Sequence, residues 1–413
     1  MMRIVFVDDD PQVLEGLRRM LFGRRDVWQM RFFTDPQAAL AGLEQEAAEL
    51  VISDLQMPGM DGVAFLEQVR QRSCETIRYV LTGVLDHPLL GHAMRCAHQV
   101  IAKPCRPNIL CEVIERAAAI KARLSEIKKT TLFSDLNDLP VMPDTHRKVL
   151  DVLASPNASP RRLGQLVAED MGMSARIVRL ANTPWFGRSG HFHDPVQAVL
   201  FLGVKTVEAV VLTEGIFSHL SPELVQTFGI GGLQAHCLRV GLLARTICLD
   251  LEFSAEQTEA SSTAGILHDA GKIVLLLKAQ EMFGQAIQQS RIEGLPLYEV
   301  ERQLLGISHA ELVGAMLQLW AMPAEIIEAT ACHHRPSEAA SRLGSSSSAT
   351  LADIICLADV IDHCLCSSGV DGVTPAFDYQ RLGQLGLDEV VAEWTRRHID
   401  IYNKDIFHEC QYA

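Results

Sequence analysis

VISDLQMPGMDG, residues 51–62, opens with a short apolar run that ends on a carboxylate, Asp54. Three other runs have the same shape. RIVFV (3–7) leads into Asp8 and Asp9, IRYVLT (77–82) closes on Thr82, and QVIAK (99–103) closes on Lys103 before Pro104. Short β-branched runs of this length predict strands. Between them, Asp10-Pro11 and Asp35-Pro36 each set an N-cap Asp before a Pro at the first helical position. Strand-helix alternation predicts an α/β domain, a (βα)5 doubly wound parallel sheet, over residues 1–120. From residue 106 onward the chain reads as helical.

In an open α/β sheet, side chains at the carboxyl ends of neighbouring strands converge on one crevice. Asp8, Asp9, Asp54, Thr82 and Lys103 therefore face each other. Clustered carboxylates repel, and a hard divalent cation such as Mg²⁺ relieves the repulsion. Asp54 is then a nucleophile for a phosphoryl group, with Lys103 and Mg²⁺ neutralising the equatorial oxygens and the Thr82 hydroxyl reporting the product. An Asp at a strand end is often only a helix cap, so the weight rests on the whole constellation.

VDDD (7–10), SDLQMPGMDG (53–62), LTG (81–83) and KP (103–104) together closely resemble the receiver domains of two-component response regulators. The resemblance implies Asp54 as phosphoacceptor, Asp8 and Asp9 as the acidic pair, the Gln56 carbonyl as a further Mg²⁺ ligand, and a sensor histidine kinase as partner. Ile101 stands where such domains usually carry a switching aromatic, which sets aside the aromatic relay but not phosphorylation.

Leu110, Val113, Ala117, Ile120, Leu124 and Ile127 are spaced as a heptad seam. Two readings stay open: the last helix of the first domain, or a linker helix (121–131) that pairs two chains into a homodimer. Asp144 and Ser159-Pro160 then mark helix starts, and Arg176 to Leu180 is amphipathic. GSSSS (344–348) reads as a loop, and 366–413 as a tail with one helix near 388–398.

Later histidines fall in the order His236, His268-Asp269, His309, His333-His334, with Lys272 and Asp359 among them. Ser254 to Gln257 is a capping box opening the helix that ends at His268-Asp269, and Ser308 with Glu311 caps a helix that begins at His309. Imidazole with carboxylate suits Fe, Mn or Zn. One arrangement sets His236, His268, Asp269 and Asp359 around a first metal, with Asp269 bridging to a second held by His309, His333 and His334. Such a pair could activate water against a phosphodiester. The bland alternative is a set of hydrogen-bonded core histidines.

LPVMPDTHRKVLDVLASP (139–156), MGMSARIVRLANTPWFG (171–187), PVQAVLFLG (195–203), GILHDAGKIVLL (265–276) and HAELVGAML (309–317) with HH (333–334) resemble the HDOD signalling domain. The resemblance covers about 132–335, with an HD-like half from about 233 that extends to about 365. It implies an all-α regulatory output module that acts on a downstream signalling protein and is related to the HD metallophosphohydrolases. His236, His268-Asp269 and Asp359 match the wider HD pattern, with Lys272 a further site candidate. His309, His333 and His334 match the cyclic di-GMP-cleaving branch called HD-GYP. That branch's Gly-Tyr-Pro loop is replaced by RPSEAA (335–340), and Gly232 stands where some members place an acid. The function expected is a response regulator signalling through protein contact and not by catalysis. The alternative is a metal-dependent phosphodiesterase acting on cyclic di-GMP or a related phosphoester.

Composition sets the outer bounds. A net charge of −14 over 413 residues argues against a nucleic-acid surface, which needs clustered Lys and Arg. MMRIVFVDDD lacks the regions of a secretory signal, and the apolar runs fall short of the roughly 20 residues a membrane helix needs. Eleven cysteines without a CxxC pair read as reduced thiols. The expectation is a cytoplasmic protein without membrane insertion.

Overall fold

The computed structural model of the chain describes residues 1–73, 76–83, 96–127, 148–149, 152, 159–169, 171–182, 192–217, 220–228, 232–320, 322–344, 348–366, 379–387 and 393–396. They fall into two compact units: Met1–Val141 with Ala315–Met322, and Met142–Gly314 with Pro323–Ala413.

In the first unit, β1 (Met2–Val7), α1 (Pro11–Met20), β2 (Trp28–Phe33), α2 (Pro36–Gln45), β3 (Leu50–Ser53), α3 (Gly62–Arg72), β4 (Ile77–Thr82), β5 (Gln99–Ala102) and α4 (Pro107–Ile127) follow one another. The strands form one parallel sheet in the order β2-β1-β3-β4-β5. Strand order reverses between β1 and β3, which opens a crevice at their carboxyl ends. All four expected strands are present. β2 is an addition: WQMRFF lies at the sheet edge with Gln29 exposed, so it lacks the unbroken apolar run of a strand buried on both faces. The Asp10 and Asp35 side chains accept from the first-turn amides of α1 and α2, as expected.

Leu110, Val113 and Ala117 of α4 are buried, so the first half of the seam serves the first unit's own core. The side chains of Ile120, Leu124 and Ile127 lie outside the described residues, as do residues 128–131 of the expected linker and Asp144, while the linker's first part, 121–127, continues α4.

The second unit is helical throughout its described residues. Its elements are α5 (Pro160–Ala168), α6 (Met171–Ala181), α7 (Pro195–Leu202), α8 (Val204–Phe217), α9 (Pro222–Phe228), α10 (Leu233–Asp250), α11 (Ala255–Leu267), α12 (Ala270–Lys278), α13 (Gln280–Glu293) and α14 (Leu297–Leu304). Then come α15 (His309–Leu319), of which residues 309–314 belong to this unit, α16 (Ala324–Ala331), α17 (Pro336–Leu343), α18 (Leu351–Cys366) and α19 (Tyr379–Leu385). Ser159 caps α5 through the Arg162 amide. Leu163, Ile177, Val199 and Val207 share one core with Leu242 of α10 and Ile266 of α11, so the early helices and the histidine-bearing ones form one body.

α10 and α11 cross at two glycines. A Cβ on Gly265 would lie 2.6 Å from the Gly241 Cα, a distance that no side chain at this crossing could meet. The crossing sets His236 and His268 on neighbouring turns of adjoining helices.

The C-terminal stretch is more anchored than a tail. α19 was not anticipated, and its Arg381 donates to Asp353 of α18 at 3.0 Å inside the unit. The expected helix near 388–398 is described over 393–396, where buried Trp394 donates its indole N–H to Asp250 at 3.0 Å. Residues 345–347 of the GSSSS segment lie outside the described residues. Among the described residues, no single helix is long and apolar enough to cross a membrane.

Candidate phosphoacceptor and metal sites

At the crevice of the sheet, Lys103 Nζ donates to Asp8 Oδ2 at 2.6 Å and to Asp54 Oδ1 at 2.5 Å. These side chains come from the ends of β5, β1 and β3, which the parallel register brings level. Asp54 Oδ2 accepts the Gln56 N–H at 2.8 Å, which turns its other oxygen toward the lysine. Burial pushes the Asp8 carboxyl up, although Lys103 opposes the shift. Burial alone would lower the Lys103 amine, but its bonds to Asp54 and Asp8 hold it above its ordinary value. Asp9 is exposed beside Asp8, and Thr82 is buried at the end of β4, where its carbonyl accepts the Lys103 N–H at 2.7 Å. Gln56 is exposed next to Asp54, and Ile101 is buried in β5.

The histidine cluster is assembled from five places in the chain. α10 supplies His236, the α11–α12 junction supplies His268 and Asp269, α15 begins at His309, the turn after α16 supplies His333 and His334, and α18 supplies Asp359. Both halves of the Ser254–Gln257 capping box are formed. Ser308 and Glu311 cap α15 reciprocally, through Ser308 N to Glu311 at 3.0 Å and Glu311 N to Ser308 at 3.3 Å.

All the expected cluster residues come together around Asp269. Its Oδ2 lies 3.6 Å from His236 Nε2 and 3.5 Å from His268 Nε2. Its Oδ1 lies 3.1 Å from His309 Nε2 and 3.9 Å from His333 Nε2. Asp359 Oδ1 closes the first side at 3.1 Å from His236 Nε2, and His334 Nε2 closes the second at 3.0 Å from His309 Nε2. The ligand atoms of His236, His268 and Asp269 fit around one ion, as do those of His309, His333 and His334. Lys272 Nζ donates to Asp269 Oδ2 at 2.6 Å.

Four imidazoles are held by their far nitrogens. His268 Nδ1 meets the Gly265 carbonyl and His333 Nδ1 the Thr330 carbonyl, both at 2.7 Å. A carbonyl only accepts, so Nδ1 carries the proton and Nε2 turns its lone pair inward. His236 Nδ1 meets Asp362 and His309 Nδ1 meets Glu301, both at 2.7 Å. Arg239 in turn grips Asp362 with two donors, at 2.7 and 2.9 Å. Such outer partners orient metal-binding histidines. Asp362, Glu301 and Arg239 were not found by sequence reasoning. Nor was His363, whose Nδ1 lies 3.0 Å from Asp359 Oδ1 and which forms a further ligand set with His236 and Asp359. The one available signal was spacing, since Asp359, Asp362 and His363 share a face of α18.

Charge and satisfaction both fit a cation. Burial would lower His236 and His309, but Asp359 with Asp362, and Glu301 with Asp269, push both imidazoles up to about 9. Burial and the neighbouring His268 and His309 push His333 down to about 3. Asp269 Oδ1, Asp359 Oδ1 and His333 Nε2 are buried without a hydrogen bond of acceptable geometry. Asp269 is also the N-cap of α12, yet its side chain makes no capping bond. Orphaned buried acceptors are rare, and here they point at one another. A metal ion taking imidazole and carboxylate ligands would satisfy them.

Gly271 makes this geometry possible. A Cβ there would lie 2.0 Å from the His309 carbonyl oxygen, where the start of α12 runs against the start of α15. Gly271→Ala is expected to destabilise the protein by about 3 kcal/mol, as overpacking against backbone does. Urea unfolding checks this, and an unchanged midpoint would remove the close approach.

Residues 4–115 match the response regulator receiver domain, and residues 139–336 match the HDOD domain. The C4-dicarboxylate transport transcriptional regulatory protein DctD of Pseudomonas aeruginosa is 28% identical over 127 residues, 30% of this chain and 27% of that one. The cyclic di-GMP phosphodiesterase response regulator RpfG of Xanthomonas campestris is 26% identical over 202 residues, 43% of this chain and 52% of that one. The crystal structure of an HDOD domain protein of unknown function from Geobacter sulfurreducens is 20% identical, with a TM-score of 0.52, and covers 70% of this chain and 98% of that one. The chain thus spans about half or less of the length of these two curated relatives.

Proposed function

We infer that this chain, in which a receiver domain at 4–115 precedes an HDOD domain at 139–336, is a response regulator phosphorylated on Asp54. The observation that carries the reading is the Lys103 ammonium held between Asp8 and Asp54 at the strand ends. Asp54 attacks the phosphorus of a phosphodonor such as a histidine kinase. An oxygen–phosphorus bond forms as the bond to the donor breaks, and the donor leaves with its electron pair. Lys103 moves its charge onto the phosphoryl oxygens, and the Thr82 hydroxyl donates to the bound phosphate. Asp8, Asp9, Asp54 and the Gln56 carbonyl would hold Mg²⁺, which supplies further neutralisation when bound. With Ile101 in place of an aromatic, Thr82 and the β4 end carry the response.

The output is contact with a downstream signalling protein, without nucleic acid and without membrane insertion, in the cytoplasm. Proteins retained by the chain after treatment with a small phosphodonor should differ from those retained by Asp54→Asn. Identical sets would remove phosphorylation control. The second half of α4 pairs two chains in this reading. Leu124→Glu then shifts the protein toward monomer with little loss of helix, because a buried charge at a seam position is costly. An unchanged sedimentation coefficient would return the helix to one chain.

A second reading is favoured by the orphaned acceptors of the histidine cluster. His236, His268, Asp269 and Asp359 would hold one Fe, Mn or Zn ion, and His309, His333 and His334 with Asp269 another. Such ions supply an activated water in metal-dependent phosphodiesterases. In this chain Arg335 and Pro336 open α17 where a dinucleotide-positioning loop would be needed, so turnover of cyclic di-GMP is expected to be slow or absent.

A further inference from the structure

Every residue of the histidine cluster is buried except His334, which is partly open to solvent. Among the described residues, His334 is thus the solvent-facing edge of the cluster. One wall is Tyr298, whose ring stacks on the His334 imidazole with centroids 4.6 Å apart and planes 14° apart. Arg302 lies one turn beyond Tyr298 on α14 and Arg335 follows His334 in the chain, so two guanidiniums flank this stack in sequence, and the charge of each favours ionisation of the Tyr298 hydroxyl.

Both guanidiniums converge on one carboxylate. Arg302 Nε donates to Glu311 Oε2 at 3.1 Å and a second Arg302 nitrogen donates to Glu311 Oε1. Arg335 donates to the same Oε1 at 3.3 Å, while its other edge is held by Glu338. Two forks around a single oxyanion are the arrangement by which arginines recognise phosphate. Side-chain exposures of 38%, 28% and 26% for Arg302, Glu311 and Arg335 leave the group within reach of solvent. Burial would raise the Glu311 carboxyl, but Arg302, the Ser308 amide and Arg335 hold it down to about 2, so an incoming anion gains the arginines only by drawing them away from it.

We propose that Arg302 and Arg335 form a binding site for the phosphate oxyanion of a small phosphoester at the mouth of the histidine cluster, and that Glu311 fills it as an internal competitor. The proposal rests on neither Asp54 phosphorylation nor metal occupancy. Glu311 also caps α15 through Ser308, so its position is fixed whether or not an anion arrives. Exchange requires the guanidiniums to turn outward from Glu311, and Glu338 holds the other edge of Arg335 as they do.

The test uses the full chain stripped of metal with a chelator, titrated calorimetrically with inorganic phosphate and with a nucleoside monophosphate. Glu311→Gln keeps a residue that completes the capping box and removes the competing charge. It is expected to bind both probes about tenfold more tightly, as unblocking an occluded site does. Adding Arg302→Gln and Arg335→Gln should abolish that gain, and Arg335→Gln alone should weaken the wild type, with thermal melts confirming folding. An equal gain for both probes supports recognition of phosphate alone, and a larger gain for the nucleotide supports a nucleotide ligand. Glu311→Gln binding no more tightly than wild type, or a triple variant that keeps the gain, would overturn the proposal. Either failure would leave phosphate uptake at Asp54 untouched.

Discussion

Asp54→Asn protein, given Mg²⁺ and a small phosphodonor, takes up phosphate only at background, while the wild type gains an acyl phosphate that is lost on mild acid or base treatment. Asn keeps the shape of the side chain and can still accept from the Gln56 amide, which meets Asp54 Oδ2 at 2.8 Å. What it lacks is the anionic oxygen that lies 2.5 Å from Lys103. A neutral amide is not a nucleophile toward phosphorus, so the expected loss is complete and not graded. The sheet should hold, because Lys103 retains Asp8 at 2.6 Å. Equal labelling of both proteins would move the phosphoacceptor away from Asp54, with the exposed Asp9 the next carboxylate to examine.

Asp269→Ala protein should lose metal from both halves of the histidine cluster at once. Its two carboxylate oxygens face different histidine sets, Oδ2 toward His236 and His268, Oδ1 toward His309 and His333. Removing a bridge of this kind leaves each set short of an anionic ligand. His334→Ala, by contrast, should empty only the second half. Asp362→Asn should weaken occupancy by about 10- to 100-fold, because it frees the His236 ring without removing a ligand. Elemental analysis of the purified proteins reads all three. A wild type without metal under Mn²⁺- or Fe²⁺-supplemented purification would make the cluster a set of core histidines. Robust hydrolysis of cyclic di-GMP that vanishes in Asp269→Ala would make the second half an enzyme.

The phosphoacceptor crevice was legible because its chemistry follows from the sheet. Asp8, Asp54, Thr82 and Lys103 each end a strand, and a parallel register converts that shared position into proximity. β2 was not legible, since an edge strand with Gln29 and Arg31 has no unbroken apolar run. The cluster ligands could be ordered from the chain because His268-Asp269 closes a helix opened by a capping box and His309 begins a capped one, so local signals place both. Their supports could not. Asp362 reaches His236 across 126 residues, and nothing near either residue announces the pairing. Glu301 looks like any acidic residue of an amphipathic helix until the close contact at Gly271 brings His309 down to it. α19 escaped notice for the same reason: its anchor, Arg381, is explained only by Asp353, 28 residues earlier.

Asp269 stands at the N-cap of α12 and leaves the helix amides unserved. An aspartate in that position ordinarily stabilises its helix by about 1 kcal/mol. Here the same carboxylate is turned into a crowd of imidazoles, with an oxygen left without a hydrogen bond. The scaffold is thus working against itself at this junction. Burial opposes ionisation of that carboxylate, yet Lys272, His268 and His309 hold it well below the usual carboxylate range, so the lost cap is offset by charge. The junction thus gives up a helix cap to keep one carboxylate between two sets of imidazoles, and it is the side-chain partners, not the helix, that hold Asp269 in place.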